Sequence, residues 1–172
     1  MDYLWSPWRY RYVSQAGKGE ECPFCQKIAA DPSHDRDNLV LHRAQGNFIL
    51  LNLYPYTTGH VLIVPYAHVA NLDEVKPSTL LEMMELAQRV QKALWECYRP
   101  EGYNLGMNLG KSAGAGVADH LHLHLLPRWT GDANFMTVLG ETRVQPEDLF
   151  ATYDKLSHFF CTPTEPVPTP PA

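Results

Sequence analysis

Residues 119–129 read DHLHLHLLPRW. Histidine occupies positions 120, 122 and 124, and leucine occupies 121, 123 and 125. Successive side chains of a β-strand point to opposite faces. The alternation predicts a strand with His120, His122 and His124 on one face and the leucines on the other, toward a core. At strand rise the histidines are attached about 6.5–7 Å apart. A plain solvated strand face carries Ser, Thr, Lys and Glu rather than three imidazoles, so the row points to chemistry. Imidazole ligates metals, and it also serves as nucleophile or proton carrier near neutral pH. One ion at about 2 Å from each ring nitrogen is hard to reach from both His120 and His124. The spacing therefore divides the three histidines between different tasks.

Working outward, NLVLHR (38–43) and FILLNLYP (48–55) predict two strands joined at Gln45, Gly46 and Asn47. HVLIVP (60–65), with its continuous apolar run, predicts a third strand ended by Pro65. From Pro77 to Tyr98 the period becomes helical, with Leu80, Leu81, Met84, Ala87, Val90, Leu94 and Trp95 as the expected core stripe. Pro77 suits a helix start, and RPEG (99–102) ends the helix. YNLGMNLG (103–110) predicts a fourth strand, KSAGAG (111–116) a small-residue turn, and HLHLHLLP (120–127) a fifth strand. A short helix is expected near Pro146–Phe160. Antiparallel strands with one long inserted helix define an α+β domain.

The chain has 172 residues, 45% of them hydrophobic and 19% charged, as expected of a single soluble globular domain. An arm over 1–19, rich in aromatics, precedes a domain over 20–160. A proline-rich tail over 161–172 is expected to be disordered. No apolar run reaches membrane-spanning length, and the N-terminal stretch lacks the features of a signal peptide, so a cytoplasmic location is expected. The formal net charge of −5 argues against non-specific nucleic-acid binding, which depends on neutralising phosphates. A small phosphorylated ligand in a locally basic cleft remains compatible with it.

CPFC places two of the four cysteines at 22 and 25. In a reducing compartment such a knuckle reads as a metal or redox pair rather than a disulfide. His68, in PYAH, and one histidine of the row could complete a tetrahedral site of two thiolates and two imidazoles. Four protein ligands close the shell of a zinc ion, which makes it structural. Spacing alone leaves open which histidine joins. The stretch GMNLGKSAGAG (106–116) supplies small residues whose backbone N–H groups can approach a phosphate.

HLHLHLL (120–126) matches the His-x-His-x-His-x-x pattern of the histidine triad (HIT) superfamily. FILLNLYPYTTGHVLIVPYAH (48–68) looks like the strand–turn–strand element that precedes the family's long helix, so the resemblance covers about 20–135. The arm, the knuckle and the run 108–136 resemble the bacterial diadenosine tetraphosphate phosphorylase branch. The resemblance implies a HIT-like fold of about five antiparallel strands with one long helix. It implies His122 as nucleophile on an α-phosphorus, forming a nucleotidyl-histidine intermediate, and His124 on phosphate oxygens. His60, in TTGH, would support the row. Asn52 would meet the ribose, and Asn108 with the backbone of Ala115 and Gly116 would hold phosphates. Trp129 matches an aromatic position of that branch. Cys22, Cys25, His68 and His120 would bind a structural Zn2+.

The resemblance also implies a small nucleotide substrate with orthophosphate as acceptor, and a homodimer or larger homo-oligomer. Diadenosine tetraphosphate would be cleaved by phosphorolysis to ADP and ATP. A hydrolase of dinucleoside polyphosphates or nucleoside phosphoramidates is the nearest alternative. A nucleotide- or zinc-binding interaction protein without turnover is the alternative of another class. One departure stands out: hydrolases of the superfamily carry a glutamine four residues before the first triad histidine, where this chain has Gly116. Lys111 and Arg128 are further candidate donors to phosphate.

Overall fold

The computed structural model describes residues 21–132 and 146–160. The expected arm and tail lie outside that range. Five strands form one antiparallel sheet: β1 (Val40–Arg43), β2 (Asn47–Leu51), β3 (Val61–Pro65), β4 (Gly102–Met107) and β5 (Leu123–Arg128). Their order is β1-β2-β3-β5-β4. Among the described residues three α-helices accompany them: α1 (Pro23–Ala29), α2 (Pro77–Tyr98) and α3 (Leu149–Ser157). The chain leaves β3, crosses through α2, runs up the edge as β4 and returns between β3 and β4 as β5. That return puts the histidine row in the interior of the sheet.

Both faces of β2 and β3 are buried, which is why their sequences are continuously apolar rather than alternating. Ile49, Leu51, Val61 and Ile63 meet Met83, Leu86, Val90 and Leu94 of α2 in the main core, with Leu121, Leu123 and Leu125. On the opposite face Phe48, Leu50, Leu62 and Val64 form a smaller core under Phe24 of α1. His124 pairs with Leu62 across the β3–β5 ladder. The histidines therefore share the smaller core's side of the sheet, while the leucines between them fill the main core as expected.

Helix α2 has the bounds that its period predicts, but its buried stripe is rotated. Met83, Leu86, Ala87, Val90, Ala93 and Leu94 are buried, whereas Leu81, Met84 and Trp95 are exposed. The apolar sector is wider than one stripe, so the sequence alone does not say which edge of it meets the sheet. The fifth strand also begins later than the alternation suggests, at Leu123. Pro65 has no N–H to extend the ladder. Its carbonyl takes the His120 side chain instead, and Leu121 N–H donates to Val69 O at 2.7 Å. The CPFC knuckle opens α1, with Pro23 in its first turn.

The β1–β2 turn lies where Gln45, Gly46 and Asn47 predict it. The Glu82 carboxylate of α2 pins it, accepting from Gln45 N at 3.0 Å, Gly46 N at 2.8 Å and Asn47 Nδ2 at 2.7 Å. Glu82→Ala leaves part-buried donors unsatisfied and is expected to cost about 2–3 kcal/mol. Chemical denaturation measures this, and an unchanged midpoint would contradict it.

Candidate functional site

His60 opens the site. Gly59 before it has φ +77°, and a Cβ there would lie 2.9 Å from Leu94 Cδ2 and 3.2 Å from Pro127 Cγ. Only glycine combines that backbone with that approach. The turn delivers His60 into the sheet interior, fully buried, with Nε2 2.9 Å from His124 Nδ1. Asn52, at the end of β2, is buried beside it, Nδ2 3.3 Å from His60 Nδ1.

His122 Nδ1 lies 2.9 Å from the His120 carbonyl oxygen. A carbonyl can only accept, so Nδ1 carries the proton and Nε2 keeps its lone pair. Burial pushes the His122 pKa down, so the ring is neutral at pH 7. A buried neutral imidazole with one nitrogen tied to a carbonyl is prepared for nucleophilic attack through the other. Phe24 of α1 packs on the ring, centroids 5.1 Å apart, and the His124 ring lies at 4.8 Å. His124 is buried, and its Nε2 has no hydrogen-bond partner among the described residues. Such an orphaned polar atom implies a missing partner. Burial, and secondarily His122, push the His124 pKa down to about 4.

His120 faces the other way. Its Nε2 donates to Pro65 O at 2.9 Å, so the unprotonated Nδ1 points at the cysteines, 3.3 Å from Cys22 Sγ and 3.6 Å from Cys25 Sγ. His68 Nδ1 lies 3.2 Å from Cys25 Sγ. The four ligand atoms fall within 4.8 Å of one another. Around a tetrahedral zinc with bonds of about 2.0–2.3 Å, N and S ligands sit about 3.5 Å apart. The donor set and spacing fit that ion. The Pro65 carbonyl is the outer partner that fixes a metal-bound histidine's tautomer.

The fold thus gathers Cys22, Cys25, His68 and His120 into one cluster and His60, His122 and His124 into a second. Asn108, Ala115 and Gly116 lie in the β4–β5 connection, where Ala115 N–H is directed to Gly110 O at 3.4 Å. Arg128 pairs with Asp132 and Asn104. Trp129 Nε1 donates to Tyr98 O at 3.4 Å, at the end of α2. The sequence reading missed Phe24, the Pro65 carbonyl and the Tyr56 backbone N–H, which meets His60 Nδ1 at 3.1 Å. Backbone groups leave no signature in residue type; Phe24 could have been suspected from its place between the cysteines.

Acid is expected to destabilise this arrangement. An unfolded chain protonates its imidazoles near pH 6.5. The folded chain holds His124 neutral to about 4, and burial and then Arg89 also lower the His42 pKa. The unfolded state thus binds more protons as pH falls below about 6.5, and stability declines through that window. Denaturation midpoints at pH 7, 6 and 5 check this; a flat or rising series would contradict it.

A buried row of neighbouring histidines, with a separate Cys/His cluster, defines the class. A family model described as the HIT domain matches residues 34–131, and the chain belongs to the HIT family. It is 38% identical over 153 residues to a protein named AP-4-A phosphorylase from Mycobacterium tuberculosis (strain CDC 1551 / Oshkosh), covering 86% of this chain and 78% of that one. The likeness places it with the AP-4-A phosphorylase branch. It is 31% identical over 93 residues to the asymmetrical bis(5'-nucleosyl)-tetraphosphatase of Schizosaccharomyces pombe, covering 54% of this chain and 50% of the other. A Zn-bound histidine triad family protein from Mycobacterium smegmatis superposes with a TM-score of 0.64 at 25% identity, covering 81% of this chain and 92% of that one.

Proposed function

We propose that this chain cleaves diadenosine tetraphosphate by phosphorolysis, through a nucleotidyl group carried on His122. The observation that carries the reading is the His122 ring, neutral, buried and tied through Nδ1 to the His120 carbonyl. Nε2 attacks an α-phosphorus; a P–N bond forms, the P–O bond to the β-phosphate breaks, and ATP leaves. The carbonyl stabilises the positive charge that the ring acquires. Orthophosphate then attacks the same phosphorus, ADP forms, and the ring leaves neutral. Covalent catalysis divides one displacement into two easier ones. His124 Nε2 faces the phosphate oxygens as a fixed donor, with Asn108 and the backbone at Gly116 as further donors. The phosphorylase named among the relatives supports phosphate as acceptor; the tetraphosphatase supports water, the second reading.

Cys22, Cys25, His68 and His120 hold a zinc ion in this reading, and the closed set of protein ligands makes it structural. A cytoplasmic location suits both the nucleotide substrate and reduced thiols. A homodimer through the free edge of β4 is supported by exposed Leu105 on that strand and exposed Trp95, Met84 and Leu81 on α2. No described helix is long and apolar enough to cross a membrane.

Diadenosine tetraphosphate incubated with and without orthophosphate, with products resolved by chromatography, tests the reaction. ADP and ATP formed only with phosphate are expected. AMP formed at the same rate without phosphate would make the enzyme a hydrolase.

A further inference from the structure

Helix α1 brings Phe24 and Cys25 to the histidine row, with Cys22 as its N-cap. It has seven residues, too few to hold a helix without outside support. Phe24 and Ile28, one turn apart, rest on the smaller core. The N-terminal end of α1 meets His120 and His68 through the two thiols. Its C-terminal end is held from the sheet by Arg43. Nη1 of that guanidinium donates to Ile28 O at 3.1 Å, and Nη2 donates to Lys27 O at 3.0 Å and Ala30 O at 3.2 Å. A helix end leaves its last carbonyls without an N–H, and a cation there also complements the helix dipole.

The same guanidinium meets the Asp35 carboxylate, with Nε at 3.1 Å and Nη2 at 2.8 Å. The two side chains are only 21% and 22% exposed, so the pair is not one of the solvated kind that contributes little. Arg43 pairs with Phe48 in the β1–β2 ladder, and cross-strand partners share a face. Phe48 belongs to the smaller core, so Arg43 rises on the side of the sheet where α1 lies. Asp35 is tied to the same strand, its carbonyl accepting the Val40 N–H at 2.8 Å. The guanidinium is thus aimed from the sheet, and the helix end is what it fixes.

We propose that Arg43, aimed by Asp35, is a positioning residue for the His122 nucleophile: it fixes α1 at its C-terminal end and so keeps Phe24 seated on the His122 ring. A single hydrogen bond, from Nδ1 to His120 O, leaves that ring free to tilt. Its contacts with Phe24, centroids 5.1 Å apart, and with His124, at 4.8 Å, limit the tilt. In-line attack on phosphorus depends on that orientation. The seating of Phe24 stands on contacts within the protein; the effect on attack rests on the nucleotidyl-transfer reading.

Arg43→Lys keeps the charge, but one ammonium replaces the planar fork and cannot serve Asp35 and three carbonyls at once. Proton NMR of the full chain as purified reads the Phe24–His122 contact as cross-relaxation between the two rings. In Arg43→Lys that signal is expected to weaken and the His122 ring signals to shift, and single-turnover adenylyl transfer to His122 is expected to fall about 10-fold. Asp35→Asn keeps the volume and removes the anchoring charge; it is expected to move all three readouts the same way by less, and it carries the comparison if Arg43→Lys does not fold. Asp148→Ala removes the N-cap of α3, which accepts from Phe150 N at 2.9 Å and Ala151 N at 3.0 Å. It is expected to lower Tm while leaving ring contact and transfer rate as in the wild type. The same ring and rate changes in Asp148→Ala would make them effects of stability and overturn the proposal. Arg43→Lys with the wild-type ring contact, or with a lost contact and an unchanged rate, would overturn it as well. A wild-type chain that transfers no adenylyl group removes the nucleotidyl-transfer reading, while the ring contact still decides whether Arg43 seats Phe24.

Discussion

His122→Ala is expected to reduce turnover of diadenosine tetraphosphate by about 10⁴-fold or more, because no neighbouring group among the described residues can replace its nucleophilic nitrogen. His124 is the nearest imidazole, but its Nδ1 faces His60 Nε2, whose ring accepts the Tyr56 N–H at Nδ1, so the His124 proton is on Nε2. His120 has Nε2 on the Pro65 carbonyl and Nδ1 toward two thiols. Neither has a bare nitrogen facing the substrate side of His122. Folding is expected to survive. The ring contributes packing against Phe24 and one hydrogen bond, and its loss costs about 1–3 kcal/mol. Single-turnover kinetics with a circular dichroism melt checks both parts. A variant retaining more than a few per cent of wild-type activity would remove the nucleophile assignment.

Cys25→Ser is expected to produce the largest loss of stability in the molecule. Structural zinc in isolated finger peptides contributes on the order of 10 kcal/mol of apparent binding free energy. Here the sheet and α2 supply a core of their own, so about 3–5 kcal/mol is the expected share, a fall in Tm of about 10 °C or more. Without a metal the cluster is poor: burial, then the hydrogen bond and charge of Cys22, push the Cys25 thiol pKa up. The effect should reach the chemistry as well. His120 presents its side chain to the cluster and its carbonyl to His122, and Phe24, between the cysteines, touches both rings. Elemental analysis should find one zinc per chain, and Cys25→Ser should lower the metal content, Tm and kcat together. A metal-free wild type with an unchanged melt would contradict the four-ligand assignment.

Much of the sheet and the long helix was legible because their residue patterns are periodic. The turn residues at 45–47 marked a real hairpin, and Pro77 and Arg99 bracket α2. The leucines between the histidines were read as core, and Leu121, Leu123 and Leu125 are in it. What the periodicity could not show was rotation and irregularity. Met84 and Trp95 are apolar and helical in spacing, yet they lie on the edge of the apolar sector that the sheet does not reach. The start of β5 depends on Pro65, 55 residues before His120 in sequence, which withholds an N–H from the ladder. Cys22, Cys25 and His68 were legible from residue type, His120 followed only from the family resemblance, and the fold brings all four together. The contacts that set protonation were not, because they come from the carbonyls of Pro65 and His120 and the N–H of Tyr56, and every residue has those groups. Partners of Arg128 and Trp129 were equally illegible: Arg128 meets Asp132, and Trp129 Nε1 meets the Tyr98 carbonyl at the end of α2.

The covalent intermediate is the centre of the account, and it can be trapped. Wild-type chain mixed with diadenosine tetraphosphate in the absence of orthophosphate, quenched within milliseconds and digested under conditions that preserve P–N bonds, is read by peptide mass spectrometry. The account predicts one adenylyl group on the peptide containing residues 120–128, located on His122, discharged to ADP when orthophosphate is added before the quench. Substrate consumed at the wild-type rate with no adenylyl group on His122 at any time, or with the group on another residue, would contradict it.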